Sequence, residues 1–360
     1  MLSALEQHRD RIAGIDLSGL AGPQLEKCAT LMQESFPVLR TLSLGSNADF
    51  PPVISDGFLG GSAPRLQMLK LHNIPFTTLP SLLLSASNLV ELRFSHSSNT
   101  GYISPDDMAT CLSTLTRLRS VYITFHHSGS FPRHHSPAPL THSVLAVLAV
   151  LASLAFEGDS EYLEDLIARV NAPHINRLSL SFSYQTVFDV SQVPRFIHGS
   201  EMFKPPLFAS VEVSHRGVDI SILSSANGYL FLQTYCPGLN TQLSWSRQIF
   251  TQLSPLLSHV DELELCSGYD MPLRRQNSAL WLEILSLFSD VQTLSIYDDG
   301  LEVAIAGILG RLAGERAIEM LPMLNTLVLS GFDDIEFSVT PLLKSFIDAR
   351  QLSDHPVVVR

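Results

Sequence analysis

Few residues in this chain have the types and spacing that chemistry requires. Gly60-Gly61-Ser62 could wrap an anion, but it lacks the lysine that a phosphate cradle supplies. No GxxxxGK[ST], GxGxxG, HExxH or GxSxG spacing occurs. His126, His127, His134, His135 and His142 could gather a metal ion only with acidic or cysteine partners at fixed spacing, and those are missing. The run Asp261-Glu262-Leu263-Glu264 carries carboxylates of the kind that do acid–base work in pairs, yet on a strand they alternate in direction and are expected in solvent. Serines, histidines and aspartates elsewhere are too scattered to compose a triad by spacing. The expectation is a chain without catalytic residues, metal site or cofactor.

Composition narrows the class further. Of 360 residues, 45% are hydrophobic and 16% charged, which supplies ample apolar material for a continuous core. The net charge of −12 falls wholly on residues 151–360, because residues 1–150 hold ten basic and ten acidic side chains. A chain this acidic offers little for phosphate neutralisation, so nucleic acid is not an expected partner. Cys28, Cys111, Cys236 and Cys266 stand far apart, which suggests neither a disulfide framework nor a zinc module. With no apolar signal core at the start and no N-x-S/T acceptor, an intracellular location, cytoplasmic or nuclear, is expected. Residues 144–156 (VLAVLAVLASLAF) are apolar but number thirteen, short of the roughly 20 a membrane-crossing helix needs.

The organising feature is a repeat. An apolar triplet spaced L-x-x-L-x-L recurs, with middle members Ile15, Leu42, Leu69, Leu92, Val121, Leu154, Leu178, Val211, Leu263, Leu294 and Leu327. Nine of the ten intervals lie between 23 and 33 residues, and the tenth is 52. The last two members of a triplet, two residues apart, point to one side of a short strand. Helix-compatible runs lie between triplets at 23–34, 104–115, 160–170, 246–257, 278–288 and 300–320. In 160–170, Tyr162, Leu163, Leu166, Ile167 and Val170 form one apolar stripe behind Ser160 as N-cap.

These elements predict an α/β leucine-rich-repeat solenoid of about eleven irregular repeats over residues 1–360, a single domain with parallel strands on the concave face and helices outside. Within the long interval, Asn227-Gly228 between alternating apolar runs predicts a β-hairpin insertion near 220–232, both turn positions tolerating positive φ. Residues 126–142 read as an exposed loop rich in His, Pro and Ser, and 340–360 as a capping helix and strand in which Val357 answers Leu327.

In such an array the residue inside each L-x-L faces outward, giving a ladder that includes Ser43, Lys70, Arg93, Tyr122, Ser179, Glu212, Glu264 and Ser295. With Arg40, His72 and Arg119 near the early strands and Asp261 and Glu262 near the later ones, the ladder is expected to run from basic to acidic. Such a face suits a protein partner, with Tyr122 as an aromatic anchor.

The segments PSLLLSASNLVELRF (80–94), GYISPDDMATCLSTLTRLRSVYITF (101–125), SEYLEDLIARVNAPHINRLSLSF (160–182), ALWLEILSLFSDVQTLSI (279–296), EMLPMLNTLVLSGF (319–332) and IDARQLSDHP (347–356) resemble the leucine-rich-repeat region of the F-box-type proteins of mushroom-forming fungi. Members usually begin with an F-box bundle that docks a Skp-type adaptor of a ubiquitin ligase, and the repeats select substrates. The resemblance therefore implies a protein-binding, substrate-selecting role. The bundle itself is not expected here, since the first triplet starts at Ile12. An adaptor would be a partner only if an F-box lies upstream, and the alternative role is a stand-alone scaffold.

Overall fold

In the computed structural model the described residues are 2–47, 53–55, 57–75, 79–96, 103–125, 145–183, 189–204, 206–214, 217–235, 239–267, 278–297, 299–312, 316–329 and 336–360. The loop expected at 126–142, with its five histidines, lies outside them. The chain forms two compact units, Met1–Leu178 and Ser179–Arg360.

The first unit contains strands β1 (Gly14–Leu17), β2 (Thr41–Gly45), β3 (Met68–His72), β4 (Glu91–His96), β5 (Ser120–Phe125), β6 (Ala146–Val147), β7 (Ser153–Gly158) and β8 (Val170–Asn171), and β9 (Arg177–Ser183) begins in it. Its helices are α1 (Leu2–Gln7), α2 (Gly22–Leu31), α3 (Leu79–Ser85), α4 (Pro105–Thr114) and α5 (Ser160–Ile167). Strands β1, β2, β3, β4, β5 and β7 pair in that order, every pair parallel. The register aligns the middle triplet members Ile15, Leu42, Leu69, Leu92, Val121 and Leu154 in one row, and Leu17, Leu44, Leu71, Phe94, Ile123 and Phe156 in another. Both rows are buried. At about 1.5–3 kcal/mol per buried large side chain they contribute much of what holds the unit together. A one-residue slip would turn both rows to solvent, which is why the register is fixed.

The first triplet member acquires a physical role. The amides of Leu39, Leu66, Leu89, Leu118, Leu151 and Ile175 donate to the carbonyls of Phe36, Ala63, Ala86, Leu115, Leu148 and Ala172, three residues back. Each acceptor residue is itself buried, so β2, β3, β4, β5, β7 and β9 are each entered through a tight turn anchored at both ends in the core. The apolar stretch 144–156 is no helix where described: it runs through β6, one of these turns, and β7.

Local capping follows hydrogen-bond supply. Ser104 caps α4 by accepting from the Asp107 amide at 3.1 Å. At α5 the cap is Asp159, which accepts from the Glu161 amide at 3.0 Å, rather than the expected Ser160, which is buried in the first turn. The apolar stripe of α5 is core throughout, and Tyr162 donates its hydroxyl to the Ile103 carbonyl at 3.0 Å. Its ring lies 4.8 Å from that of Phe125 and 5.8 Å from that of Phe156. Gly60 and Gly61, with Leu59, adopt positive φ in a tight left-handed turn between β2 and β3, where Leu59 is buried.

The second unit contains α6 (Gln192–His198), β10 (Pro206–Val213), β11 (Gly217–Ser224), β12 (Tyr229–Tyr235), α7 (Leu239–Leu257), β13 (Glu262–Ser267), α8 (Ser278–Leu285), β14 (Thr293–Tyr297), α9 (Asp299–Leu309), α10 (Arg316–Glu319), β15 (Thr326–Leu329), α11 (Glu336–Leu352) and β16 (Val358–Val359). Helix is thus interrupted within 300–320, where one run was expected. Strands β10, β13, β14, β15 and β16 pair parallel in that order. Val359, not Val357, sits opposite Leu327.

The sheet is not parallel throughout. β11 and β12 form the expected hairpin, and β11 also runs antiparallel to β10, so the insertion is a three-stranded meander. At its turn only Asn227 has positive φ. Gly228 is required for another reason: a Cβ there would collide with the Met202 carbonyl oxygen. Asn227 supplies the left-handed residue, and Gly228 allows two backbones to touch.

Candidate functional site

The parallel register gives each unit its own outward row of side chains between two buried ones. In the first unit the row is Asp16, Ser43, Lys70, Arg93, Tyr122 and Ala155, each opposite the next. Alternation along each strand explains its exposure, since the residues on either side are core. Asp16 accepts from the Ser18 amide at 2.9 Å and the Ser18 hydroxyl at 2.6 Å. Those bonds, with Ser43 and Lys70 beside it, hold its carboxyl below the usual range. Arg93 Nε binds Glu91 Oε1 at 2.6 Å, and Lys70 Nζ lies 3.8 Å from the same oxygen. Glu91 therefore fixes the arginine and offsets part of the positive charge expected on this row. Tyr122, 37% exposed, stands beside Arg93 as a large contact surface.

The second unit carries Ser210, Glu264, Ser295 and Val328 in register. This corrects the ladder. Glu212 was expected beside Glu264, but Ser210 takes that rung and Glu212 faces Cys266. The triplet Phe208/Val211/Val213 is displaced by two residues: Ala209 opposes Leu263 and Val211 opposes Leu265. A shift of two keeps the same residues on the core side, so the pattern alone cannot distinguish the alternatives. Ser179 lies half-buried on β9, and Ser295 is half-buried on β14.

Around Glu264 the polar groups converge. Its Oε1 accepts from Cys266 Sγ at 3.2 Å and from Ser210 Oγ at 3.5 Å. Burial, together with that bond and the nearby carboxylates, pushes the Cys266 thiol up to about 12. Such a thiol stays protonated and is a poor nucleophile. On the meander, Asp219 lies opposite Glu212 and accepts from Gln233 Nε2 at 3.2 Å, while Gln233 Oε1 accepts from the Tyr235 hydroxyl at 2.6 Å. Burial, opposed by the Gln233 bond and reinforced by Glu212, raises Asp219 to about 6. Tyr229 and Phe231 stack on the same strand with ring centroids 6.5 Å apart.

A recess of about 330 Å³ opens toward the start of β10 and β13, lined by Leu207, Phe208, Leu223, Ser224, Asp261 and Glu262. Its apolar floor and two carboxylates could seat the stem and head of a cationic side chain. No grouping of metal-ligating side chains occurs among the described residues, and no described helix is long and apolar enough to cross a membrane.

The meander network and the role of Ser210 escaped the sequence reading. The alternation Asp219/Ser221 and Phe231/Gln233/Tyr235 was a legible signal that the hairpin has a polar and aromatic outer side. Its pairing with β10 depends on tertiary packing.

No protein-family model matches the chain, and no curated protein does. Among solved structures, the leucine-rich repeat-containing protein LegL7 from Legionella pneumophila is similar, with 12% identity and a TM-score of 0.30, over 99% of this chain and 86% of that one.

Proposed function

We propose that this chain is a leucine-rich-repeat solenoid that binds another protein through the outward rows of its strands. The observation that carries the reading is the exposed row itself. Parallel strands in strict register present Lys70, Arg93 and Tyr122 side by side on a rigid sheet, with the core rows on either side holding them in place. Six strands roughly 4.8 Å apart give a surface some 24 Å across, the scale of a peptide or domain contact. The aromatic and arginine pair at Tyr122 and Arg93 is of the composition that anchors interfaces. In the second unit, Glu264 and the recess beside Asp261 and Glu262 favour a cationic contact.

Within the family resemblance, the partner is a substrate delivered to an F-box-type ubiquitin ligase, and a Skp-type adaptor enters only through an F-box. Affinity purification of the intact gene product with mass spectrometry tests both levels at once. Recovery of an adaptor and a cullin supports the ligase reading, and a partner without them supports a scaffold. Charge reversal by Arg93→Glu with Glu264→Lys is expected to weaken capture of that partner in a salt-dependent way. Undiminished capture would refute the assignment of these rows.

A further inference from the structure

The turns that lead into β2, β3, β4, β5, β7 and β9 each place two residues at the sheet's N-terminal rim, one just before and one just after the buried lead-in leucine or isoleucine. The residues before are Val38, Arg65, Asn88, Arg117, Val150 and His174, and those after are Arg40, Gln67, Val90, Arg119, Ala152 and Asn176. The second series is joined rung by rung. Gln67 N donates to Arg40 O, Val90 N to Gln67 O, Arg119 N to Val90 O, Ala152 N to Arg119 O, and Asn176 N to Ala152 O, all between 2.7 and 3.0 Å. Four arginines, one histidine and no carboxylate occupy these twelve positions, and the next position along carries Arg177 on β9 and Glu91 on β4. The same positions around Val260, Val291 and Leu324 in the second unit carry Asp261 and Asp290, with His259, Gln292, Met323 and Asn325.

The arginines are exposed, and among the described residues Arg40, Arg65 and Arg119 make no ion pair. Arg117 is held by a neutral group: its Nη1 donates to Asn88 Oδ1 at 2.8 Å, while Asn88 Nδ2 donates to Pro64 O at 2.7 Å. Asn88 thereby fastens the turn of Arg65 to the turn of Arg117 and orients the second guanidinium without neutralising it.

We infer that this rim docks an extended acidic segment of a partner protein. The inference rests on the reading of the chain as a partner binder and adds the chemistry of one partner. Guanidinium forks match carboxylates in bidentate geometry. Arg65 and Arg117 are two strands apart, about 10 Å, and Arg40 and Arg119 three, about 14 Å. Carboxylates at alternate positions of an extended peptide recur every 7 Å or so, so residues i and i+4 span the Arg40–Arg119 distance. Single-stranded nucleic acid is the less suitable anion. The rim offers Val, Ala, Gln and Asn between its arginines and no aromatic platform for bases.

The test is fluorescence anisotropy of the full chain with a labelled peptide of four Glu-Thr repeats, a Gln-Thr control, and an oligothymidylate of equal charge. The double variant Arg65→Glu with Arg117→Glu alters exposed turn residues and is expected to weaken peptide binding at least about tenfold and to flatten its salt dependence. Asp348→Lys, at an exposed position of α11 on the other unit, is expected to leave binding unchanged. Absence of peptide binding by the unaltered chain, equal binding by the Gln-Thr control, unchanged binding by the double variant, or tighter binding of the oligothymidylate would each overturn the inference. The Arg93 and Glu264 variants leave these arginines intact, so the two experiments fail independently.

Discussion

Arg350 gives the sharpest test of how the second unit is closed. It lies on α11, is fully buried, and has no carboxylate at its guanidinium among the described residues. Its Nε donates to His355 O at 3.1 Å. Nη1 donates to Ala317, Met320 and Leu321 carbonyls at 3.1, 3.4 and 3.2 Å, and Nη2 to Pro322 and Leu324 carbonyls at 3.2 and 2.8 Å. These carbonyls belong to the end of α10, the turn leading into β15, and the turn after α11, so one side chain ties three segments together. The dipoles of orphaned carbonyls at a helix end favour a cation there.

Replacing Arg350 by Met keeps the bulk and removes the donors. The five N–H donors that serve these six carbonyls would be lost at about 1 kcal/mol each, and relief of the guanidinium's desolvation returns about 2 kcal/mol, leaving a net cost of about 3 kcal/mol. Lysine should fare little better, because one ammonium cannot reach carbonyls on three sides. The assay is urea unfolding followed by tryptophan fluorescence. Both tryptophans, Trp245 on α7 and Trp281 on α8, are buried in the second unit, so the signal reports the unit that Arg350 holds. A loss below about 1 kcal/mol in Arg350→Met, or a gain, would refute the reasoning, since buried charges can be replaced by apolar groups without loss when their bonds are not needed.

Other expectations follow from the same geometry. Asp219 is raised in the folded state to about 6 from 3.8, so its contribution to stability is greatest below pH 3.8 and is lost as pH rises through 6. Asp219→Asn should therefore stabilise the protein by about 1 kcal/mol at pH 8, discounted for partial exposure, and by nothing at pH 3.5; thermal melts at both values check the sign. Gly228→Ala should cost about 2 kcal/mol, because the Met202 carbonyl must move, whereas Asn227→Gly should be nearly neutral; equal effects in denaturation would contradict the assignment of turn roles. Cys266 should alkylate with iodoacetamide slowly at pH 8, and Glu264→Gln should speed it; peptide mapping that shows no difference would remove Glu264 as the cause.

How much was legible in advance can be judged residue by residue. The second and third members of each apolar triplet fall on strands, because spacing by two on a strand and burial on one side are properties of the chain itself. The helix stripe of Tyr162, Leu163, Leu166 and Ile167 was readable for the same reason at helical spacing. α3 and α6 passed unnoticed because each is only seven residues long, too short to show a period. The cap at α5 moved from Ser160 to Asp159, since adjacent residues of similar capping ability are separated only by which one is buried.

The candidate rows were partly legible. Asp16 to Ala155 line up because five consecutive strand pairs share one register. In the second unit, Ser210 displaced Glu212 through a two-residue offset invisible to a period-two pattern. The sequence by itself determined the alternation of buried and outward residues, hence which side chains face solvent, because that depends on local backbone geometry. Which of them become neighbours was decided by the tertiary structure alone. Glu264 beside Ser210, Asp219 beside Glu212, and Arg350 among six carbonyls all depend on strand register and helix docking, which link residues distant in the chain and are set by packing rather than by any local preference.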